Sequence, residues 1–142
     1  MYVTSHALSG AAIGAVTASA GYPSWVAFIA GFVSHAVLDS IPHHDYTSLP
    51  GAVVDLLLTG GVIWIVGSLY PTHYLWFWGL FGATIPDLEV GLKHLFPLWG
   101  IKLRYPSHSG LLPHPQIPFW PGVLPQILSA IICFGILIHL AA

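Results

Sequence analysis

The chain has 142 residues, of which 56% are apolar and only 6% charged, with three Lys and Arg, five Asp and Glu and a net charge of −2. A water-facing domain carries roughly 25% charged residues, so this composition excludes a soluble globule and reads as an integral membrane protein. Three basic residues leave no footprint for nucleic acid, and a single cysteine, Cys133, excludes an internal disulfide.

A membrane-spanning helix needs about 20 mostly apolar residues, and five segments of the chain approach that pattern. The N-terminus "MYVTSHALSG" lacks the positive region of a cleaved signal peptide, so the first segment, about Thr4–Gly21, is expected to stay in the mature protein. It consists largely of Ala, Gly and Ser, and its Gly10 and Gly14 form a small-xxx-small pattern that lets helix backbones approach closely. Such a helix is expected to be buried among the others. The second segment runs from about Pro23 to Ile41, where Pro42 ends it, and the third from Pro50 to about Tyr70. The fourth spans roughly Thr72–Leu92, with Pro86 expected to kink or break it. The fifth is about Pro121–Leu140.

Between the fourth and fifth lies a stretch too rich in proline for a regular helix and too aromatic for a solvated linker. Its Phe96, Trp99, Phe119 and Trp120 suit the membrane interface. With no internal repeat and no domain boundary, residues 1–142 read as one all-α domain. The expected architecture is a polytopic membrane bundle of about five transmembrane helices, with a Pro-rich interfacial loop before the last.

Lys93, Lys102 and Arg104 all fall in that loop, and the positive-inside rule places it in the cytoplasm, below an inner or cytoplasmic membrane. Counting back through the helices puts the N-terminus and the 42–49 loop on the same side. All five acids, Asp39, Asp45, Asp55, Asp87 and Glu89, then fall at or near that face. So do His6, His35, His43, His44, His94, His108 and His114, leaving only His73 and His139 at the other. Polar residues prefer helix ends because a charge at the bilayer centre costs about 2.5–3.5 kcal/mol. That preference does not select one end over the other. Nor can three basic residues neutralise five acids, so a bound divalent cation, zinc before others, is expected in this layer.

The local spacing agrees. In "SHAVLDSIPHHDY", His35 and Asp39 are four apart and share one helix face. Pro42 then turns the chain so that His43 and Asp45 can fold back over them. The competing reading is a hydrogen-bonded structural cluster. In "GATIPDLEV", Asp87 and Glu89 follow Pro86, where Asp87 is either a ligand or the cap of a restarted helix. Asp55, with no basic partner in view, is expected to ligate directly or to orient a ligand. In "YPSHSG", His108 offers a ligand or an acid–base group, with Ser109 as a donor beside it. A serine-hydrolase pair is set aside here, because adjacent residues do not easily form nucleophile and base and no G-x-S-x-G elbow is present. His6 heads the first helix and joins the ligand candidates. His44, His94 and His114 read as interfacial polar residues, and His73, His139 and Cys133 as structural.

These four motifs, His6, "SHAVLD", "GATIPDLE" and "LRYPSHS", together resemble the predicted membrane-bound metal-dependent hydrolases described as LexA-binding and inner-membrane-associated. The "GFVSHAVLDSIPHHD" stretch is also similar to the GxxxHxxxD helix of zinc-dependent phospholipase C. The resemblance implies His6, His35, Asp39, Asp87 and His108 as metal ligands and matches Arg104 to the arginine of the family's loop motif. The chain departs from the pattern in having Leu103 where that loop begins with His and Glu89 where a second Asp stands. Its HxxxD also precedes the Pro-Asp motif, where the family is expected to have it follow.

The expected function is therefore metal-assisted hydrolysis of a phosphoester, in a membrane lipid or a membrane-proximal substrate. Arg104 would grip a phosphate oxygen, Asp45 or Glu89 would be the general base, and the 93–120 loop a lid. The competing expectation is a non-catalytic accessory subunit that docks partner subunits or forms a homo-oligomer. Its polar layer would hold a structural metal, or a helix histidine such as His35 or His139 a pigment. A proton or ion path through Asp55 and Asp39 is a third, and would need an oligomer to line a pore.

Overall fold

The computed structural model describes every residue of the chain except Thr47 and His73, so the structural reading given to His73 lies outside the described residues. The described residues form five α-helices: α1 (Val3–Ser19), α2 (Ser24–Asp39), α3 (Leu49–Leu69), α4 (Leu75–Leu95) and α5 (Phe119–Ala141). A single 3-10 turn, Pro97–Trp99, opens the long loop before α5. No strand occurs among the described residues, and the fold is all-helical.

The expected segments map onto these helices with small shifts at their ends. The largest is in α4, which continues through Pro86 to Leu95. The proline removes one backbone bond, to the carbonyl four residues earlier, but it does not end the helix. Asp87 consequently lies inside a continuous helix and is not the cap of a restarted one.

Packing explains the small residues. α4 runs between α1 and α2, and Gly79 stands at the crossing, where a methyl group would overlap the backbone of Gly10 and Gly14 on α1. Reciprocally, a methyl group on Gly10 or Gly31 would meet the Gly79 carbonyl. α1 is the central helix, with Ser5 to Ala12, Gly14 and Ala15 buried. Its Ala7, Leu8, Ala11 and Ala12 pack against Val66 of α3, Trp76 and Leu80 of α4 and Leu137 of α5. The Tyr70 hydroxyl donates to the Leu137 carbonyl at 2.6 Å and ties the far ends of α3 and α5.

Two helices, α3 and α5, are long and apolar enough to cross a membrane, while α2 is apolar but shorter. Both leave large apolar side chains facing outward, including Leu57 and Trp64 on α3 and Ile131 and Ile132 on α5. Lipid covers such faces at no desolvation cost, whereas water would not.

Asp55 turns out to have a structural task. Its carboxylate accepts from the Val3 and Thr4 main-chain N–H groups at 2.8 and 3.1 Å and from the Thr4 hydroxyl at 2.6 Å. These N–H groups head α1 and have no partner inside the helix. Asp55 thus caps α1 from the side of α3 and fixes where His6, one turn in, can point. The expectation of a ligand or ligand-orienting role at Asp55 gives way to this cap.

Candidate metal centre

Four separate pieces of chain supply the site. The start of α1 brings His6, the last turn of α2 brings His35 and Asp39, the end of α4 brings Asp87 and Glu89, and the loop brings His108. His6, His35 and Asp39 are fully buried, at 0% exposure. The loop reaches them because Tyr105 anchors it: its hydroxyl donates to the Phe32 carbonyl and accepts from the Ala36 N–H at 3.1 Å. Glu89 fixes the same loop by accepting from the Arg104 and Tyr105 main-chain N–H groups at 2.8 and 2.9 Å.

Asp39 is the centre of the arrangement. Its Oδ1 lies 3.2 Å from His6 Nε2, and its Oδ2 lies 3.2 Å from His35 Nε2 and 3.5 Å from His108 Nε2. Asp87 Oδ1 stands 3.8 Å from His35 Nε2 and 3.7 Å from His108 Nε2. Ligand atoms of one tetrahedral zinc, each ~2.0–2.1 Å from the ion, stand about 3.3 Å apart. The separations observed are of that size. His6, His35 and Asp87 form one group able to hold a metal ion, and His35, Asp39 and His108 another that shares His35.

The ring orientations carry more information than the distances. His35 Nδ1 is 2.7 Å from the Ala83 carbonyl oxygen, and His108 Nδ1 is 3.1 Å from Glu89 Oε1. Both acceptors require a proton on Nδ1, which leaves an unprotonated Nε2 in the neutral ring. The two Nε2 atoms face each other at 3.2 Å. Imidazoles held at Nδ1 by a carbonyl or a carboxylate, with Nε2 turned inward, have the form of metal-ligating histidines. His6, stacked on His35 with ring centroids 3.7 Å apart, has no hydrogen-bond partner for either nitrogen, and Asp87 Oδ2 is buried without one. Orphaned buried polar atoms are costly, and an ion would satisfy them. The residues present fit a divalent metal.

Beside this centre lies a second cluster. His43 is fully buried, with Nδ1 2.6 Å from the Ile41 carbonyl oxygen and Nε2 3.1 Å from His114 Nε2. His114 Nε2 is 3.0 Å from Asp45 Oδ2, and its Nδ1 is 3.5 Å from Asp39 Oδ2. The 42–46 turn is joined to the loop by bonds from His43 N to the Pro115 carbonyl and from Ile117 N to the His43 carbonyl, at 3.1 and 2.9 Å. The Met1 nitrogen stands 3.2 Å from Asp39 Oδ1 and 2.7 Å from Asp45 Oδ1. No Lys or Arg side chain takes part in an ion pair among the described residues; these pairs join the carboxylates to histidines and to Met1.

The environment shapes the loop ionisations. Burial works against a charged His108, but hydrogen bonding to Asp39, the charge of Asp87 and hydrogen bonding to Glu89 outweigh it and raise its pKa above the usual histidine value. Burial likewise works against a charged Asp45, and bonding to His114 and His43 overcomes it, holding this carboxyl far below the ordinary range. Tyr46 is pushed up to about 12 by burial and by the neighbouring Asp55, Asp87 and Asp45, so it remains a neutral phenol.

All five residues that the resemblance implies as metal ligands, His6, His35, Asp39, Asp87 and His108, therefore fall in two adjoining groups that share His35. Asp45 lies in the adjoining cluster. Glu89 is engaged by two main-chain N–H groups and His108, which gives it an orienting task. Arg104 is exposed and meets the site through its main chain. His44 bonds the Ile117 carbonyl at 3.3 Å, His94 the Val90 carbonyl at 3.0 Å, and His139 is exposed at the end of α5.

Three participants escaped sequence reasoning. Ser107, not Ser109, donates to Asp39 Oδ2 at 2.7 Å, while Ser109 bonds the Pro106 carbonyl. His114, expected at the interface, is drawn into the polar layer. Gln126 of α5 is buried, accepting from Tyr2 N at 2.9 Å and donating to the His44 carbonyl at 2.7 Å. A lone Gln in a helix otherwise as apolar as α5 was the available signal; nothing local distinguishes Ser107 from Ser109. Comparison with protein-family models, with characterised proteins and with solved structures finds no match for the chain.

Proposed function

We propose that the protein is a membrane-bound metal-dependent hydrolase acting on a phosphoester in a lipid or another membrane-proximal substrate. The observation that carries this reading is the inward meeting of His35 and His108 through Nε2, beside Asp39 and Asp87, with both Nδ1 atoms held from outside. A zinc or similar divalent ion supplies positive charge for a phosphoryl oxygen and brings the pKa of water down to about 7. His6, His35, Asp39, Asp87 and His108 would hold it. Glu89 keeps the His108 ring in place, and Ser107 and the Asp39 carboxylate orient one another.

Arg104, exposed beside the site, suits a phosphate oxygen, for which its fork of donors is shaped. Asp45 or Glu89 would serve as general base; Glu89 is engaged by two main-chain N–H groups and His108, and Asp45 by His43, His114 and Gln116. The five helices are read as a bundle lying in the inner membrane, α3 and α5 spanning it. The polar layer is read as cytoplasmic, on the strength of Lys93, Lys102 and Arg104 in one loop. The loop between α4 and α5 closes over the layer at the lipid surface. The resemblance to the predicted membrane-bound hydrolases supports the reaction class and the substrate.

A second reading has its own observation. Asp39 already receives the Ser107 hydroxyl and the Met1 nitrogen, as it would in a hydrogen-bonded polar layer of an accessory subunit. Elemental analysis separates the two. Detergent-purified protein should carry a transition metal that the His35→Ala/Asp39→Ala variant lacks, and the loaded protein should cleave phosphoester lipids. Metal-free protein, even after zinc is offered, would sink the hydrolase and leave the accessory subunit.

A further inference from the structure

We infer that Asp39, His43 and His114 form a second metal site, so that Asp39 bridges a two-ion centre. The inference rests on the proposed metal-dependent function for its use of Asp39, and it adds residues that neither the HxxxD nor the Pro-Asp motif supplies.

Asp39 stands in two groups of donors able to hold an ion, one with His35 and His108, the other with His43 and His114. The second group repeats the geometry of the first at His43, while His114 turns its Nδ1 to Asp39 Oδ2, 3.5 Å away. His43 Nδ1 is fixed at the Ile41 carbonyl, 2.6 Å away, which turns its Nε2 inward to meet His114 Nε2 at 3.1 Å. Asp45 closes the other side, with Oδ1 3.3 Å from His43 Nε2 and Oδ2 3.0 Å from His114 Nε2. Asp45 Oδ1 is buried and faces the Met1 nitrogen at 2.7 Å. Its fellow oxygen is oriented by Gln116 Nε2 at 2.8 Å, the kind of outer bond that ligating carboxylates receive.

The chemistry asks for a cation here. Two carboxylates and two imidazoles converge, and no Lys or Arg side chain reaches them. The Met1 nitrogen lies among these atoms, 2.7 Å from both His43 Nε2 and Asp45 Oδ1. The main chain holds the arrangement rigidly. His43 bonds Pro115 and Ile117 on either side of Gln116, and a methyl group on Gly122 would overlap the His43–His44 backbone. This consolidates the donor set before any ion arrives. Two ions sharing Asp39 would form a clamp suited to the attacking and leaving oxygens of phosphoryl transfer.

Metal stoichiometry tests this without any assay of turnover. Apo protein in detergent is titrated with zinc, and with cobalt for its visible spectrum, in the wild type and in His35→Asn, His43→Gln and His114→Asn, each checked for an unchanged helical melt. Wild type is expected to take about two equivalents, and each variant about one. The cobalt bands lost in His114→Asn should differ from those lost in His35→Asn. If wild type takes about one equivalent that His35→Asn loses and His114→Asn keeps, the second site is overturned while the hydrolase reading stands. One equivalent lost in His114→Asn but kept in His35→Asn would support the second site and sink the first. A wild type that takes up no zinc overturns both.

Discussion

His35 and His108 are 73 residues apart, yet their Nε2 atoms meet at 3.2 Å with the opposite ring nitrogens already committed to Ala83 and Glu89. Two neutral rings so held would turn lone pair toward lone pair. Only a proton or a metal ion between them relieves that repulsion. A proton would make His108 an imidazolium and the site a structural ion-pair cluster with Asp39 and Asp87. A metal would make it a centre for hydrolysis. The same pair of side chains thus separates the two functional readings.

Glu89→Gln should weaken metal binding without removing a ligand. Gln can still accept at one oxygen, but it no longer offers a charged acceptor to His108 Nδ1 while serving the Arg104 and Tyr105 N–H groups. Loss of such an outer partner costs about 10–100-fold in metal affinity. Zinc competition against a chelator of known affinity measures it. Unchanged affinity would show that His108 does not ligate.

Arg104→Ala should leave zinc content untouched, since Arg104 enters the site through its main-chain N–H and its side chain is exposed. If its guanidinium binds a phosphate oxygen, kcat/KM on a phosphoester lipid falls about tenfold to a hundredfold, the worth of a hydrogen bond to a charged group. An equal fall in zinc content would instead indicate that the loop had come away from the site.

Asp55→Ala should destabilise the fold by about 1–2 kcal/mol, as the loss of a helix cap does. The Val3 and Thr4 N–H groups would lose their acceptor. Unfolding in detergent reads the loss, and zinc per folded molecule should be preserved. A variant as stable as wild type but devoid of zinc would return Asp55 to the ligand set.

The helices were legible because each is marked by composition and punctuation: Pro23 and Pro50 at starts, Pro42 after an end, and Gly10 and Gly14 at a close crossing. The nearness of the five candidate ligands was legible in part because His35/Asp39 share a helix face and Asp87 and His108 sit in recognisable motifs. What lay beyond reach depends on tertiary placement. Asp55 resembles every other unpaired acid until the start of α1 is set against α3. His114 and Gln116 join the polar layer only because the loop runs back beside the 42–46 turn, a pairing that leaves no local pattern. Pro86 misled for a related reason. A proline ordinarily interrupts a helix, whereas α4, packed against α1 and α2, is continuous through Pro86.

Gly79→Ala should be among the most damaging single-methyl changes in the bundle. The added methyl would overlap Gly10 and Gly14 backbone atoms, which cannot rotate aside as a side chain could. Overpacking of this kind costs about 1–3 kcal/mol, and more where backbone must move. Gly60→Ala and Gly91→Ala are the controls, lying within helices with nothing inside 4 Å of the new methyl. They should be neutral or stabilising by up to about 1 kcal/mol, because alanine is the better helix former. Because α4 also carries Asp87 and Glu89, a shift of α4 away from α1 would part Asp87 from His6. Gly79→Ala should therefore lower zinc affinity along with the melting temperature, and the two controls should lower neither. A destabilised Gly79→Ala protein with full zinc affinity would show that the centre is held by the α2 turn and the loop, without help from the α1–α4 crossing.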